Sequence, residues 1–222
     1  MSGNLESVAY NKIKKAISKG YIKKGTQLKE VSLAKTLNMS RATVKGAVKR
    51  LVYEGLAEHE PNKGVSVVNP SLEEIQETFQ VRAQLEKMAT FLAATKLNTD
   101  DLDGLNQLIK EEENIFKARE LDQYYEINNA FHLKIAEKSG NQVLLHYVNE
   151  LLQKTTIYLV LFDPFYQMLD ENNSSPREHQ EIVRWLKKKD GAQAAVEMQN
   201  HLENSMSGID IKRLLPNDYL TV

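Results

Sequence analysis

Three histidines and one asparagine in the second half of the chain are the side chains best suited to chemistry. Asn128 and His132 are four residues apart, so a helix places both on one face. His179 and His201 lie on two later segments with helical spacing of apolar residues. Three imidazoles and one amide oxygen could converge inside a bundle, and such donors suit Zn, Ni, Co, Fe or Mn ions. The spacing leaves open the alternative that each histidine packs or hydrogen bonds within a core.

The segments around these residues have helical periodicity and no strand pattern. Ser71 and Glu74 have the spacing of a capping box, in which two side chains satisfy amides at a helix start. Thr99, Asn141 and Ser175 are predicted helix N-caps. Five or six amphipathic helices predict an all-α bundle. The predicted helices cover residues 72–96, 100–118, 122–139, 141–162, 176–189 and 191–208, with a short turn near 164–170.

A different chemistry is predicted near the N-terminus, where two short helices flank a tight turn. After a helix over residues 5–19, apolar spacing predicts helices over residues 28–37 and 41–54. Ser40, in the turn, is a good N-cap for the last of these. The exposed faces of that helix carry cations, and a cationic helix after such a turn fits the major groove of DNA. Its predicted DNA contacts are Ser40, Arg41, Thr43, Lys45 and Lys49.

A β-hairpin is predicted after the cationic helix. Two short strand-like segments flank the turn Pro61-Asn62-Lys63-Gly64. Lys63 at the tip could reach a phosphate or the minor groove, and Gly64 would let the backbone approach closely. The helices and the hairpin together predict a winged helix-turn-helix. The alternative is that the cations form an ordinary solvated helix face.

The charge of the chain changes sign between its two parts. Residues 1–70 hold 13 Lys and Arg against 5 Asp and Glu, a net charge of +8. Residues 71–222 hold 16 against 25, a net charge of −9. A basic segment followed by an acidic one is typical of a nucleic-acid-binding module joined to a module of another kind. We therefore predict two domains, residues 1–70 and residues 71–222.

Composition limits the remaining function classes. The 222 residues include no cysteine, which excludes disulfides and thiolate metal sites. No apolar run approaches the roughly 20 residues that a membrane span needs. The N-terminal residues lack the apolar core of a signal peptide. We therefore expect a soluble cytoplasmic protein with no membrane partner.

The first part of the chain resembles the winged helix-turn-helix of the GntR family of bacterial repressors over residues 5–69. Thr43, Lys45 and Gly46 stand where that family usually has Pro, Arg and Glu. Because lysine lacks the planar fork that reads guanine, we expect a different or more weakly bound operator. Gly46 either permits close approach to DNA or is simply tolerated. The matching residues are Gly25, Leu28, Glu30, Leu33, Ala34, Leu37, Ser40, Arg41, Val44, Leu51, Gly55, Leu56, Gly64 and Val67.

The second part resembles the FCD ligand-binding domain of FadR-type GntR regulators over residues 71–205. Many members of that group bind a divalent metal through one Asp and three His. The resemblance places Asn128 at the Asp position and keeps all three histidines. An asparagine oxygen can ligate but carries no charge, so we expect weaker metal retention and stronger attraction of an anion. The matching segments are residues 81–86, the Asn128-x-x-Phe131-His132 run, and residues 140–144, 178–182 and 195–202.

The resemblance also implies an effector and an oligomeric state. A small carboxylate would complete the metal coordination, with Arg82 as a second cation for it; the alternative for Arg82 is an i,i+4 ion pair with Glu86. A metal-free pocket for a larger acyl-type ligand is the second hypothesis for this domain. We expect a homodimer on a short palindromic operator, with DNA affinity controlled by the effector.

A metalloenzyme with a DNA-binding head is the remaining alternative. The sequence has no Glu-x-x-His pair of the di-iron type, no His-Glu-x-x-His and no phosphate-binding glycine loop. We therefore predict a regulator and not an enzyme.

Overall fold

The computed structural model describes residues 2–61, 63–118, 120–162 and 174–209. The chain divides into two compact units. The first comprises Met1–Ser71 together with Ile157–Phe162, and the second comprises Leu72–Thr156 with the described residues 174–209.

The first unit is a helix-turn-helix followed by a hairpin, as predicted. Val44, Ala47, Val48 and Leu51 form the buried stripe of the third helix. The elements are α1 (Ser2–Ser18), α2 (Glu30–Leu37), α3 (Arg41–Tyr53), β1 (Ala57–Glu60) and β2 (Gly64–Val67).

The hairpin is antiparallel, and its register pairs Glu60 with Gly64. Gly64 is therefore the first residue of β2 and not a turn residue as predicted; Asn62 lies outside the described residues. The segment before α2 extends the hairpin, because Leu28 N–H donates to the Val65 carbonyl at 2.7 Å.

The second unit contains helices close to the predicted ones. The short turn predicted near residues 164–170 lies outside the described part of the chain. None of the described helices has the length and apolar character to cross a membrane. The helices are α4 (Leu72–Ala93), α5 (Thr99–Ala118), α6 (Leu121–Lys138), α7 (Gln142–Phe162), α8 (Ser175–Lys187) and α9 (Gly191–Ser207). The C-terminal end of α7, Ile157–Phe162, belongs to the first unit.

Two of the three predicted N-caps in this unit are wrong. Asn141 does cap α7, since its Oδ1 accepts from Leu144 N–H at 3.1 Å. The cap of α5 is Asn98, one residue before Thr99, and its Oδ1 accepts from Asp101 N–H at 2.9 Å. Ser175 is the first residue of α8, and its hydroxyl donates to Glu112 Oε1 at 2.8 Å instead of capping the helix.

The core of the second unit surrounds the face of α6 that carries His132. Phe131 and Ile135 of α6 pack in one cluster with Ile182 of α8 and Met198 of α9. A dry, close-packed setting of this kind holds polar side chains in single rotamers and leaves no water to satisfy them.

Candidate metal centre and nucleic-acid interface

The structure brings His132, His179 and His201 together in the second unit. They come from α6, α8 and α9, and each is at most 2% exposed. One ring nitrogen of each lies within 4.8 Å of the others. The predicted convergence of three imidazoles is therefore present in the geometry.

The Nδ1 atom of each imidazole is hydrogen bonded to a glutamate carboxylate. His132 Nδ1 lies 2.6 Å from Glu86 Oε2. His179 Nδ1 lies 2.8 Å from Glu112 Oε2. His201 Nδ1 lies 2.7 Å from Glu178 Oε2. Ionised carboxylates only accept hydrogen bonds, so each Nδ1 carries the hydrogen and each Nε2 is left as an acceptor.

The acceptor nitrogens face one another. His179 Nε2 and His201 Nε2 are 3.2 Å apart. Two nitrogens without hydrogens repel each other at this distance, and either a shared proton or a metal cation between them relieves that repulsion. Imidazole nitrogens bind zinc at about 2.1 Å, which puts two ligands of one ion roughly 3 to 3.4 Å apart. The donor set therefore fits a divalent transition metal.

The electrostatics favour the charged forms of the three carboxylates and the neutral forms of the His132 and His201 rings. Burial by itself raises the pKa of Glu86, but Arg82 and His132 outweigh it and lower that pKa to about 2. Burial lowers the pKa of His132 to about 3, against the opposing effect of Glu86. Burial also lowers the pKa of His201. Neutral imidazoles are the form that ligates metals.

Aromatic packing restricts the rings further. The ring of Phe131 stacks on His179 with centroids 4.0 Å apart. His132 meets the same Phe131 ring edge-on, with an interplanar angle of 90°. The imidazoles are thus oriented before any ligand binds.

Arg82 is buried beside this cluster and is only partly paired. Its Nε donates to Glu86 Oε1 at 2.6 Å, so the i,i+4 pair that the sequence offered as an alternative is formed. Its NH1 donates to Thr155 Oγ1 at 2.7 Å. Among the described side chains, Arg82 NH2 and His132 Nε2 are the buried polar atoms without a hydrogen-bond partner. Unpaired buried donors and acceptors are costly, so both atoms point to a ligand.

Asn128 lies one turn before His132 on α6 and is 9% exposed. The helix therefore places it on the same face as His132, as the spacing predicts. Its role as a metal ligand stays a prediction.

Glu112 is the site residue that the sequence reasoning missed. Its other oxygen, Oε1, accepts from the Ser175 hydroxyl at 2.8 Å. A signal was available, because Glu112 falls on the buried stripe of α5 with Leu105, Ile109 and Phe116. A carboxylate on an apolar stripe is unusual unless it has a partner.

The first unit presents the predicted cations on α3. Arg41, Lys45 and Lys49 are exposed. Within the described residues, none of these three side chains makes an ion pair. Their charges are therefore available to an anionic partner such as the DNA backbone.

Ser40 caps α3 as predicted, because its Oγ accepts from Thr43 N–H at 3.1 Å. The two hydroxyls also lie 2.8 Å apart and hydrogen bond. The local role of Ser40 is thus to fix the start of α3 and the Thr43 rotamer. Contacts of either residue with DNA stay predictions.

Lys63 is exposed at the end of the hairpin. Its backbone carbonyl accepts a hydrogen bond from the Gln27 side chain. Gly64 has φ of +88°, a conformation that favours glycine for a purely local reason. Their contacts with DNA stay predictions.

Two other residues of α3 face the protein. Arg50 Nε donates to Glu54 Oε1 at 2.8 Å, and its guanidinium lies 3.9 Å from the centre of the Tyr10 ring. A Cβ on Gly46 would overlap the carboxylate of Glu6 on α1. A larger residue at this position would therefore displace the end of the Glu6 side chain, and the two explanations that the sequence suggested stay predictions.

Comparisons with known proteins identify the family of both parts of the chain. The family model for bacterial regulatory proteins of the gntR family matches residues 5–67, and the FCD domain model matches residues 77–204. The chain is 29% identical over 212 residues to the HTH-type transcriptional regulator LutR of Bacillus subtilis, covering 85% of this chain and 93% of LutR. It is 27% identical over 199 residues to the uncharacterised HTH-type transcriptional regulator YdhC of the same organism, covering 88% and 86%.

A solved structure has the same fold. Escherichia coli McbR/YncC superposes with a TM-score of 0.65 at 23% identity, covering 91% of this chain and 95% of that one.

The winged helix-turn-helix and the helical domain thus define a DNA-binding transcriptional regulator. The chain belongs to the GntR family and carries an FCD domain. Its relatives are regulators and not enzymes, which confirms the expected class.

Proposed function

We propose that this regulator is a repressor whose operator affinity is controlled by a small carboxylate-bearing effector, bound beside a divalent metal ion such as Zn²⁺ or Ni²⁺. The observation that carries the proposal is the convergence of three histidine rings whose Nδ1 atoms are already taken by carboxylates. Carboxylates that accept a hydrogen bond from the non-ligating ring nitrogen orient metal-ligating histidines in proteins.

Each residue has a defined part in the proposed pocket. His132, His179 and His201 hold the ion, and the Asn128 amide oxygen is a further donor. The ion supplies open coordination positions for an effector oxygen. Arg82 donates its unpartnered NH2 to the effector carboxylate, in a charge-assisted hydrogen bond.

The effector would act on the helix that follows the linker. Arg82 and Glu86 both lie on α4, which begins at Leu72. Arg82 also holds Thr155 of α7, so a ligand that redirects the guanidinium changes a contact between two helices. We propose two functional domains, residues 1–70 for DNA binding and residues 71–222 for effector binding. We propose that the changed contact alters the mobility of the DNA-binding domain.

On the DNA side, Arg41 and Lys45 reach base edges or nearby phosphates, and Lys49 contacts phosphate. Ser40 and Thr43 place the start of α3 against the DNA backbone. Lys63 and Gly64 bring the hairpin to the minor groove.

Two copies of the chain would read a short palindrome, because a two-fold dimer matches two-fold DNA. Since the operator is chromosomal duplex DNA, we place the protein in the cytoplasm.

The test begins with selection of duplexes from a random pool by the purified protein, followed by gel-shift titrations of the selected duplex. Zinc and a panel of small carboxylic acids are then added together. We expect acid-dependent release of DNA that needs zinc. Release by acyl-type ligands in metal-stripped protein would favour the metal-free alternative, and failure to select any duplex would overturn the proposal.

A further inference from the structure

We propose that Glu86, Glu112 and Glu178 supply, from behind the histidines, the negative charge that Asn128 does not bring to a divalent ion. This inference rests on the metal centre proposed above. It assigns the role of charge compensation to side chains that do not touch the ion.

The three carboxylates are placed by three different helices. Glu86 lies on α4, Glu112 on α5 and Glu178 on α8. Each is hydrogen bonded to the Nδ1 of a histidine from another helix. The carboxylates therefore surround the imidazole cluster. Each is separated from the centre of the cluster, where the ion would bind, by the width of one ring.

The three glutamates are not equivalent. One oxygen of Glu86 faces His132 and the other pairs with Arg82, so the Arg82 guanidinium already offsets its negative charge. The second oxygens of the other two glutamates meet neutral groups. Glu112 accepts from the Ser175 hydroxyl at 2.8 Å, and Glu178 accepts from the Asn204 amide at 2.8 Å. The carboxylate charges without a cationic side-chain partner are thus those of Glu112 and Glu178. They contact His179 and His201, whose Nε2 atoms are 3.2 Å apart.

The charges of this cluster match a dication. Three carboxylates opposed by the single Arg82 guanidinium leave two negative charges in excess. An ion of charge +2 neutralises that excess in a buried setting, where uncompensated charge is costly. The sequence-based expectation of an uncompensated ion counted only the ligating atoms. In the present proposal the compensating charges lie one ring further out.

Glutamine substitutions separate charge from orientation. In Glu112→Gln, the amide oxygen still accepts from His179 Nδ1 and the charge is lost. We expect zinc affinity, measured by competition with a chromophoric chelator, to fall about 10- to 100-fold. Glu178→Gln should show a similar fall, and it is a second variant at a less buried position should Glu112→Gln fold poorly. The matched control is Glu113→Gln, whose carboxylate accepts from Gln180 on the surface; its zinc affinity should equal that of the parent.

A rescue distinguishes a charge effect from a structural one. Adding Asn128→Asp to Glu112→Gln restores a negative charge beside the ion without restoring the contact to His179. We expect zinc affinity to return to within a few-fold of the parent, with circular dichroism confirming the fold of every variant.

The outcomes separate the two hypotheses. Parental zinc affinity in both glutamine variants, or a loss that Asn128→Asp does not offset, would overturn charge compensation and leave the metal centre standing. Absence of zinc binding by the parent protein would overturn the metal centre and this inference together.

Discussion

The DNA-facing surface of α3 and the histidine cluster of the helical unit use charge in opposite ways. Arg41, Lys45 and Lys49 of α3 are exposed and, within the described residues, make no ion pair, so they keep their charge for a polyanion. The charges around the histidines are buried and paired with one another. The first arrangement attracts any DNA through its charge, whereas the second accepts only a ligand that completes a preformed set of partners.

The largest effect is expected on the DNA side. The double variant Arg41→Ala/Lys45→Ala removes two candidate base contacts of about 1 to 3 kcal/mol each, so affinity for the selected operator should fall about a thousandfold. The measurement is a gel-shift titration at fixed salt. Lys110→Ala/Lys117→Ala removes the same charge from exposed positions of α5 and should change little. An unchanged affinity in the first variant would mean that α3 does not read the operator.

The second-largest effect is expected on metal retention. His132→Ala removes a buried ring whose Nε2 has no protein partner, so we expect loss of bound zinc in elemental analysis of purified protein, with affinity reduced about a hundredfold or more. His146→Ala is the control, because that histidine is exposed on α7. Equal metal in parent and His132→Ala protein would remove His132 from the site.

A smaller effect tests how strongly the buried charges depend on their partners. Thr155→Val leaves Arg82 NH1 without its acceptor, and an unsatisfied buried donor costs about 1 to 3 kcal/mol. Urea denaturation should show that loss in the free energy of unfolding. Thr156→Val, which breaks the partly buried bond to Asn129, should cost less. If Thr156→Val lowered the free energy of unfolding more than Thr155→Val does, Arg82 NH1 would have found another acceptor in the Thr155→Val protein.

The smallest effect is expected where a cation of α3 is already paired. Tyr10→Phe removes the hydroxyl that donates to Glu54, and we expect about 1 kcal/mol of lost stability with unchanged operator preference. Burial, with the Glu54 hydrogen bond, raises the pKa of Tyr10 to about 12, so the hydroxyl keeps its proton in the assay. A changed preference would show that the Tyr10–Arg50–Glu54 group also positions α3 on DNA.

A feature was predicted correctly when the residues that determine it lie close together in the chain. The helices, the Ser40 cap and the exposed stripe of α3 depend on neighbours within about four residues, and the pattern predicted them. The predicted cap at Thr99 was one residue too late, because Asn98 beside it caps α5 instead. Ser175 lies inside α8, and its hydroxyl bonds to Glu112, 63 residues away in the chain. The contact of Gly46 with Glu6 was not predicted, because Glu6 lies on another helix.

The amino-acid pattern alone was enough for the type of each element, the basic character of the DNA-binding unit and the identity of the three histidines, since periodicity and residue chemistry are local properties. The partners of those histidines emerged only from the packed bundle. Glu112 lies 67 residues from His179, and the helices between them set which carboxylate meets which ring. Local sequence cannot specify such a pairing, because it is burial in a common core that makes each group costly unless it meets the other.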